Sequence, residues 1–149
     1  MSFASDCDKF RRKKFKGRMT VVLRKVSLDL SRKVVQRTPV DTGRARGNWM
    51  VGINHLPIAS LMGIERDPRA RITGDIQKAV AGDTVTLANS LPYIGVLEYG
   101  GFPNPPKKGT GKSSGGYSQQ SPQGMVRITV EEYKPTLQKA IAFAKGAIR

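Results

Sequence analysis

Two short stretches of this chain contain the residue types of catalytic sites. The first, Pro106 to Ser113, reads PKKGTGKS and differs by one residue from a nucleotide-phosphate-binding loop, which has glycine where this chain has Pro106. Such a loop lies between a buried strand and a helix, so that backbone N–H groups face the phosphates. Here segments rich in glycine, proline and serine lie on both sides. The sequence therefore favours a flexible basic loop over nucleotide hydrolysis.

The second stretch, Val40-Asp41-Thr42-Gly43, spells the active-site turn of aspartic proteases, in which two carboxylates share one proton. Arg44 follows directly, and a neighbouring cation would keep the Asp41 carboxylate ionised. We therefore interpret the stretch as a turn in which Asp41 and Thr42 bond nearby backbone and Gly43 has a positive φ. We expect no enzymatic activity.

The counts of cysteine and histidine limit the chemistry further. Cys7 and His55 are the only residues of their types, whereas a structural zinc site needs four nitrogen or sulfur ligands. A disulfide within the chain needs a second cysteine, and a serine or cysteine triad would depend on His55 as its base. We expect neither a metal nor another cofactor.

Positive charge is the strongest signal in the composition. Lys and Arg total 26 against 11 Asp and Glu, a formal net charge of +15, which predicts an acidic partner, either nucleic acid or protein. We expect contacts with DNA to be made to phosphates rather than to bases. The residues that we predict to face the acidic surface are Lys9, Arg11, Arg12, Lys13, Lys14, Lys16 and Arg18 in one run, and Lys107, Lys108 and Lys112 in a later loop.

A long N-terminal helix positions the first basic run. Apolar residues recur every three or four positions at Phe15, Met19, Val22, Val26, Leu30 and Val34, which predicts a helix over 5–37. Ser5 and Asp8 fit a capping box at its start. Gly17 is a point at which the basic leader could separate from the packed main helix. Pro39 requires the helix to end before it.

Short elements are predicted for the middle of the chain. Alternation at Trp49, Val51 and Ile53 predicts one strand, and residues 85–88 predict a second. Residues 73–81 indicate a short helix, and another runs from a cap at Asn89 or Ser90, with Pro92 in its first turn and Gly100 just past its end. Residues 54–72 show no clean period.

The last third of the chain combines a loop and a helix. Residues 100–122 are rich in glycine, proline, serine and lysine, which predicts a flexible loop. We then expect an extended segment up to Arg127 and a C-terminal helix capped by Thr129, with Glu132 in the box position and a kink at Pro135. Together these elements predict one α+β domain over 1–149: a long N-terminal helix, a small antiparallel sheet, short middle helices and a C-terminal helix. No apolar run reaches the length of a membrane span, and we expect neither a membrane partner nor a secretory signal.

Three stretches, taken in order, resemble one protein family. The first is Thr38 to Arg44, leading through Asn48-Trp49 into a strand; the second is Asn89 to Tyr93, running on to Glu98-Tyr99-Gly100; the third is Pro122 to Arg127. They are similar to the neck or tail-completion proteins of long-tailed bacteriophages, also called minor tail proteins. Ile128 stands where proline is common in the family, and the loop after Gly100 is longer than expected.

The resemblance implies a structural virion protein at the junction of head and tail, present as several copies around the tail axis. The implied partners are the tail-terminator and head-closure or connector proteins, further copies of the chain in a ring, and DNA backbone in the channel. Assembly would take place in the host cytoplasm. The alternative hypothesis is a nucleic-acid-binding module without sequence specificity. The residues that carry the family motif are Pro39, Asp41, Thr42, Gly43, Arg44, Trp49, Tyr93, Glu98, Gly100, Met125 and Arg127.

Overall fold

The computed structural model of the protein describes residues 3–102 and 111–147, which form an α+β fold. The six helices described are α1 (Phe3–Arg37), α2 (Arg44–Gly47), α3 (Arg69–Ile76), α4 (Ile94–Tyr99), α5 (Val126–Glu131) and α6 (Tyr133–Ala147). The strands described are β1 (Met50–Ile53), β2 (Val85–Ala88), β3 (Ser113–Ser114) and β4 (Tyr117–Ser118). This architecture confirms the predicted fold class.

Helix α1 spans 35 residues without a break at Gly17, a length of about 50 Å. Lys and Arg are good helix formers, which is why the basic leader continues the helix. The helix begins at Phe3, so Ser5 lies inside its first turn and the predicted capping box is wrong. Farther along, Val26, Val34 and Val35 are buried, because the apolar stripe there faces the rest of the molecule.

The core lies between α1, the first sheet and α3. β1 and β2 pair antiparallel, with Val51 opposite Leu87, and the predicted second strand coincides with β2. Trp49 directly precedes β1 and is 5% exposed. It packs in one cluster with Val51, Ile72, Ile76 and Met125, so the turn before β1 is fixed to the start of α5.

The middle helices differ from the prediction in their bounds. α3 spans the eight residues Arg69–Ile76, whereas the predicted helix began at Thr73. It begins directly after Pro68, because proline is favoured at the start of a helix. The Asp83 carboxylate accepts the Val80 N–H at 2.7 Å, so residues 77–83 form turns instead of continuing the predicted helix to Ala81. α4 ends at Tyr99, and Gly100, with a φ of 84°, stands just past its end as predicted. The helix begins at Ile94 after Tyr93, so the predicted cap at Asn89 or Ser90 and the place of Pro92 in the first turn are wrong.

The predicted flexible loop contains regular structure in its described part. β3 and β4 form a small antiparallel hairpin, with Ser114 opposite Tyr117. Gly115 and Gly116 both have positive φ values, the backbone conformation of a two-residue hairpin turn. The prediction of an unstructured loop is therefore wrong for residues 113–118. Lys107 and Lys108 lie outside the described residues.

The C-terminal region contains two helices where one kinked helix was predicted. α5 begins at Val126, so Arg127 lies inside it and no extended segment reaches that residue. The Thr129 hydroxyl donates to the Met125 carbonyl within α5 and does not cap it. The break falls at Glu132, between α5 and α6. Pro135 lies in the first turn of α6, where its missing N–H has no helical partner to lose, so the kink predicted there is wrong.

Candidate functional site

The basic leader, residues 9–18, is the exposed end of α1. Phe10 and Phe15 are 67% and 64% exposed. Farther along, the Thr20 hydroxyl accepts the Ala81 N–H, and Arg24 Nε donates to the Ala79 carbonyl at 2.7 Å. These bonds attach the helix to the turns after α3 and leave the preceding residues on the surface.

The leader extends past the described end of α6. Lys33 Nζ donates to the Thr136 hydroxyl at 3.0 Å, and Lys25 lies over the Phe143 ring, 6.0 Å from its centroid. The two helices are therefore antiparallel, and Ala147, four residues after Phe143, lies near the level of residue 21. Residues 5–18 continue beyond that level as an arm of about 20 Å.

The charges of the leader surround the arm. Successive helical residues are about 100° apart, so the basic residues between 9 and 18 present cations on most sides. Lys9, Arg11, Arg12, Lys13 and Lys16 are exposed, whereas Lys14 and Arg18 are half-buried. Lys9 also contacts Asp6 at 3.8 Å. An arm charged on most sides suits contact with a phosphate backbone or another acidic surface.

Lys112 lies apart from the basic leader, beside Asp41 in the turn after α1. Its Nζ lies 2.9 Å from Asp41 Oδ1, and both side chains are at least 70% exposed. Lys112, which we predicted to face an acidic surface, is thus paired with the turn Val40–Gly43, whose sequence matches the protease motif. The carboxylate of Asp41 has a cation as its neighbour, which is the reverse of the arrangement needed for proton sharing.

The turn at residues 38–44 joins α1 to the sheet through side chains. Trp49 Nε1 donates to the Thr38 hydroxyl at 2.7 Å, and that hydroxyl donates to the Val34 carbonyl. Gly43 has a φ of 95°, as predicted. The Gln120 side chain bonds both the N–H and the carbonyl of Val40 at 2.9 Å. Trp49 of the first stretch also packs in the same buried cluster as Met125 of the third, so these two stretches are connected across the molecule.

Glu98 connects the second and third stretches. Its carboxylate is the acceptor for the N–H groups of Met125, Val126 and Arg127 at 2.7 to 2.9 Å, which are orphan donors of the first turn of α5. Burial alone would raise the pKa of Glu98, but the three N–H donors and the Arg127 side chain outweigh it and lower that pKa. Glu98 is therefore a buried anion that holds the start of α5.

Arg127 and Gly124 complete this arrangement. Arg127 contacts the Glu98 carboxylate at 3.2 Å, donates to the Glu98 carbonyl at 2.7 Å, and lies 5.0 Å from the Tyr99 ring centroid. Gly124 has a φ of 84°, and a Cβ there would be 2.7 Å from the Glu98 carbonyl oxygen. Both oxygens of the carboxylate are occupied by donors of the chain itself, so the site is suited to holding structure rather than to proton transfer.

Two functional candidates were missed by sequence reasoning, and the first is an apolar loop at residues 56–64. Its exposed side chains are Leu56 at 62%, Ile58 at 77%, Met62 at 94% and Ile64 at 58%. The stretch 47–64 contains no Asp, Glu, Lys or Arg, in a chain where 25% of the residues are charged. That gap in the charge was visible in the sequence and was the signal that could have identified the loop.

The second is an open cavity of about 480 Å³ beside the turn, which we call the turn cavity. It lies between residues 39–45, α4 and the hairpin region. Much of its wall is apolar, from Val40, Ala45, Tyr93, Val96, Leu97 and Phe102, and the charged residues Asp41, Arg44 and Lys112 also line it. Its walls come from separate parts of the chain, so no local pattern could reveal it.

Among residues 3–102 and 111–147, no group of three or more His, Cys, Asp and Glu side chains is placed to hold a metal ion. Over the same ranges, no helix has both the length and the apolar character to cross a bilayer. Comparison with protein-family models, curated proteins and solved structures finds no match to this chain.

Proposed function

We propose that the chain is a structural virion protein that completes the tail or neck at a bacteriophage head–tail junction. The observation that carries this proposal is that the three stretches resembling that family lie together. Glu98 of the second stretch binds the N–H groups of residues 125–127, and Trp49 of the first stretch shares a buried cluster with Met125 of the third. Stretches that are far apart in the sequence thus form one connected unit.

The polar groups of this unit favour a scaffold over a catalyst. Glu98 is saturated by backbone donors, the Trp49 indole N–H is held by Thr38, and Asp41 faces Lys112. Each group is used to fix one segment on another. A subunit of this kind supplies a rigid body on which docking surfaces are carried.

The basic leader is the docking surface that we assign to acidic neighbours. Around a ring of subunits its charge is multiplied by the number of copies, and neutralising phosphates releases counterions without reading a base sequence. Its partners in this proposal are DNA in the channel and the acidic faces of the tail-terminator and head-closure or connector proteins. Further copies of the chain complete the ring.

Deletion of the gene from the phage that encodes this chain tests the proposal. We expect electron micrographs of the lysate to show filled heads and separate tails, and supplying the chain from a plasmid to restore joined particles. A cryo-EM map of the restored particle should contain the α1 arm at the junction. Joined, infectious particles without the gene would contradict the proposal.

A second candidate function is a free nucleic-acid-binding module, and the exposed basic leader is the observation that favours it. Such a module would bind duplex DNA tightly on its own, and log K would fall steeply with log salt. Titrating the isolated protein with DNA at several salt concentrations separates the two. Sub-micromolar affinity at physiological salt favours the module, whereas weak binding favours a subunit that needs its neighbours.

A further inference from the structure

We propose that the apolar loop of one copy of this chain docks into the turn cavity of a second copy. This deepens the proposed function, on which it rests, by naming the two surfaces that join neighbouring subunits. A contact between two different surfaces repeats from copy to copy and closes into a ring when its rotation allows.

The loop presents an unusual amount of apolar surface. The Leu56, Ile58 and Met62 side chains are each more than 60% exposed, and all lie within seven residues. Clustered apolar side chains on a protein surface mark an interaction site more often than single ones do. With Ile64 they are large enough to form the centre of an interface that buries about 800 Å² on each partner.

The base of the loop is held firmly, which makes the surface ready for docking. Asn48 is 1% exposed, its Oδ1 accepts the Leu61 N–H at 2.7 Å, and its Nδ2 donates to the Arg44 carbonyl. Arg71 pairs with Glu65 at 2.7 Å just after the loop. A surface fixed before binding loses less conformational freedom when a partner is bound.

The turn cavity has the complementary character. Its volume of about 480 Å³ accommodates several aliphatic side chains. Val96 and Leu97 of α4 and Phe102 form part of its apolar wall. An uncharged apolar protrusion and a cavity with apolar side chains over much of its wall therefore lie on the same chain, and each copy can offer both surfaces to its neighbours.

Charge identifies the occupant as a second copy. A nucleic acid or an acidic protein is recognised through cations, and the stretch 47–64 has none. Two copies, each at +15, repel one another where Lys and Arg are dense and least where a surface lacks charge. The loop is therefore a place at which like-charged copies can approach closely.

Sedimentation equilibrium of the full chain tests the contact. We compare the wild type, Met62→Asp and Ile58→Asp at about 0.1 M and about 1 M salt, where the Debye length falls from about 10 Å to about 3 Å. The wild type should associate more strongly at high salt, and either loop variant should weaken association at least about tenfold. Val130→Asp, at a residue 62% exposed on α5, is the matched control and should associate like the wild type.

Val130→Asp separates the effect of charge from the loss of an apolar contact, because it adds one negative charge just as the two loop variants do. Charge alone would strengthen association of a +15 chain, so a loss specific to the loop variants requires an apolar contact. Wild-type protein that stays monomeric at both salt concentrations would overturn the inference, as would equal behaviour of Met62→Asp and Val130→Asp. Binding of phosphatidylserine-containing vesicles that Met62→Asp abolishes would also overturn it.

A mixing experiment tests which two surfaces meet. Met62→Asp keeps an intact cavity, and Val96→Trp fills the cavity while keeping an intact loop. Each should be monomeric alone, and their mixture should form pairs; a mixture that stays monomeric overturns the docking of loop into cavity. Thermal melts of both variants verify that they fold, and Ala45→Leu replaces Val96→Trp if that variant does not. These results are independent of the gene deletion, so failure of either proposal is recognised separately.

Discussion

A single carboxylate, that of Glu98, holds the start of α5 on the end of α4. Replacing it by glutamine leaves one acceptor oxygen and places an amide N–H₂ group against backbone donors. We expect Glu98→Gln to lower the free energy of unfolding by about 2 kcal/mol or more at pH 7, because buried donors lose a charged acceptor. Chemical denaturation measures the change. Glu131→Gln, an exposed residue of α5, makes the same chemical change and should stay within about 0.5 kcal/mol of the wild type.

The same carboxylate makes stability depend on pH. The pKa of Glu98 is lowered in the folded protein, because its N–H donors and Arg127 outweigh the effect of burial. Its contribution is therefore complete above its ordinary pKa of about 4.5 and is lost as the pH falls through the lowered folded value. Unfolding curves between pH 7 and pH 3 should show a smaller loss for Glu98→Gln than for the wild type. Parallel losses would show that other carboxylates cause the dependence.

Gly43 is a position where backbone conformation alone limits the residue. Its φ of 95° is costly for a branched side chain, and a Cβ would lie 3.1 Å from Arg66 Cγ. We expect Gly43→Val to destabilise the protein by about 1 to 3 kcal/mol. In thermal melts Gly74→Val is the control, since that glycine lies in α3 with nothing within 4 Å of an added Cβ. Equal melting of Gly43→Val and the wild type would mean that this turn is wrong.

The packing of α6 on α1 depends on small residues. Ala140 is 0% exposed and Ala144 is 2% exposed, so α6 has no room there for a longer side chain. We expect Ala140→Leu to reduce the free energy of unfolding by about 1 to 3 kcal/mol through overpacking. Ala142→Leu adds the same atoms on the exposed side of α6 and should have little effect. A similar loss in both variants in denaturation experiments would contradict the close approach of the two helices.

Elements with a strong period or a sharp local signal were predictable. The apolar spacing of α1, the short strand-forming run of β2 and the glycine just past the end of α4 each depend on neighbouring residues, so local sequence was sufficient. The break at Glu132 was not predictable, because that carboxylate contacts Lys33 and Arg37 of α1. Such contacts join residues that are far apart in the sequence, and no periodicity contains them.

The candidate surfaces, like the elements, were predictable only where they depend on a local sequence pattern. The basic leader was located from the sequence because a run of cations on a helix is a local pattern. The role of Glu98 required the fold, since its acceptor function depends on residues 125–127, and the turn cavity exists only where three segments meet. The apolar loop was only partly predictable, because its lack of charge is visible in the sequence whereas its exposure depends on the fold.

Net charge is a property of the whole molecule, and its placement decides what it can do. Seven of the 26 Lys and Arg residues lie on an arm of α1 past the described end of α6. The apolar loop, in contrast, lies in the stretch 47–64, which contains no Asp, Glu, Lys or Arg. In our proposal, these separate surfaces let one subunit bind an acidic neighbour and a like-charged copy at the same time.

Neutralising three cations of the arm tests whether its charge acts locally. We expect the triple variant of Arg12, Lys13 and Lys16 to Gln to reduce the slope of log K against log salt for duplex DNA by about 0.9 for each phosphate that the arm no longer neutralises. The melting temperature should not fall, because these side chains are exposed and lie past the contact of α1 with α6. The matched control replaces Lys134, Lys139 and Lys145, exposed residues of α6, by Gln. An equal change of slope in the control would show that DNA senses total charge rather than the arm, because both variants remove three cations and only one of them alters α1.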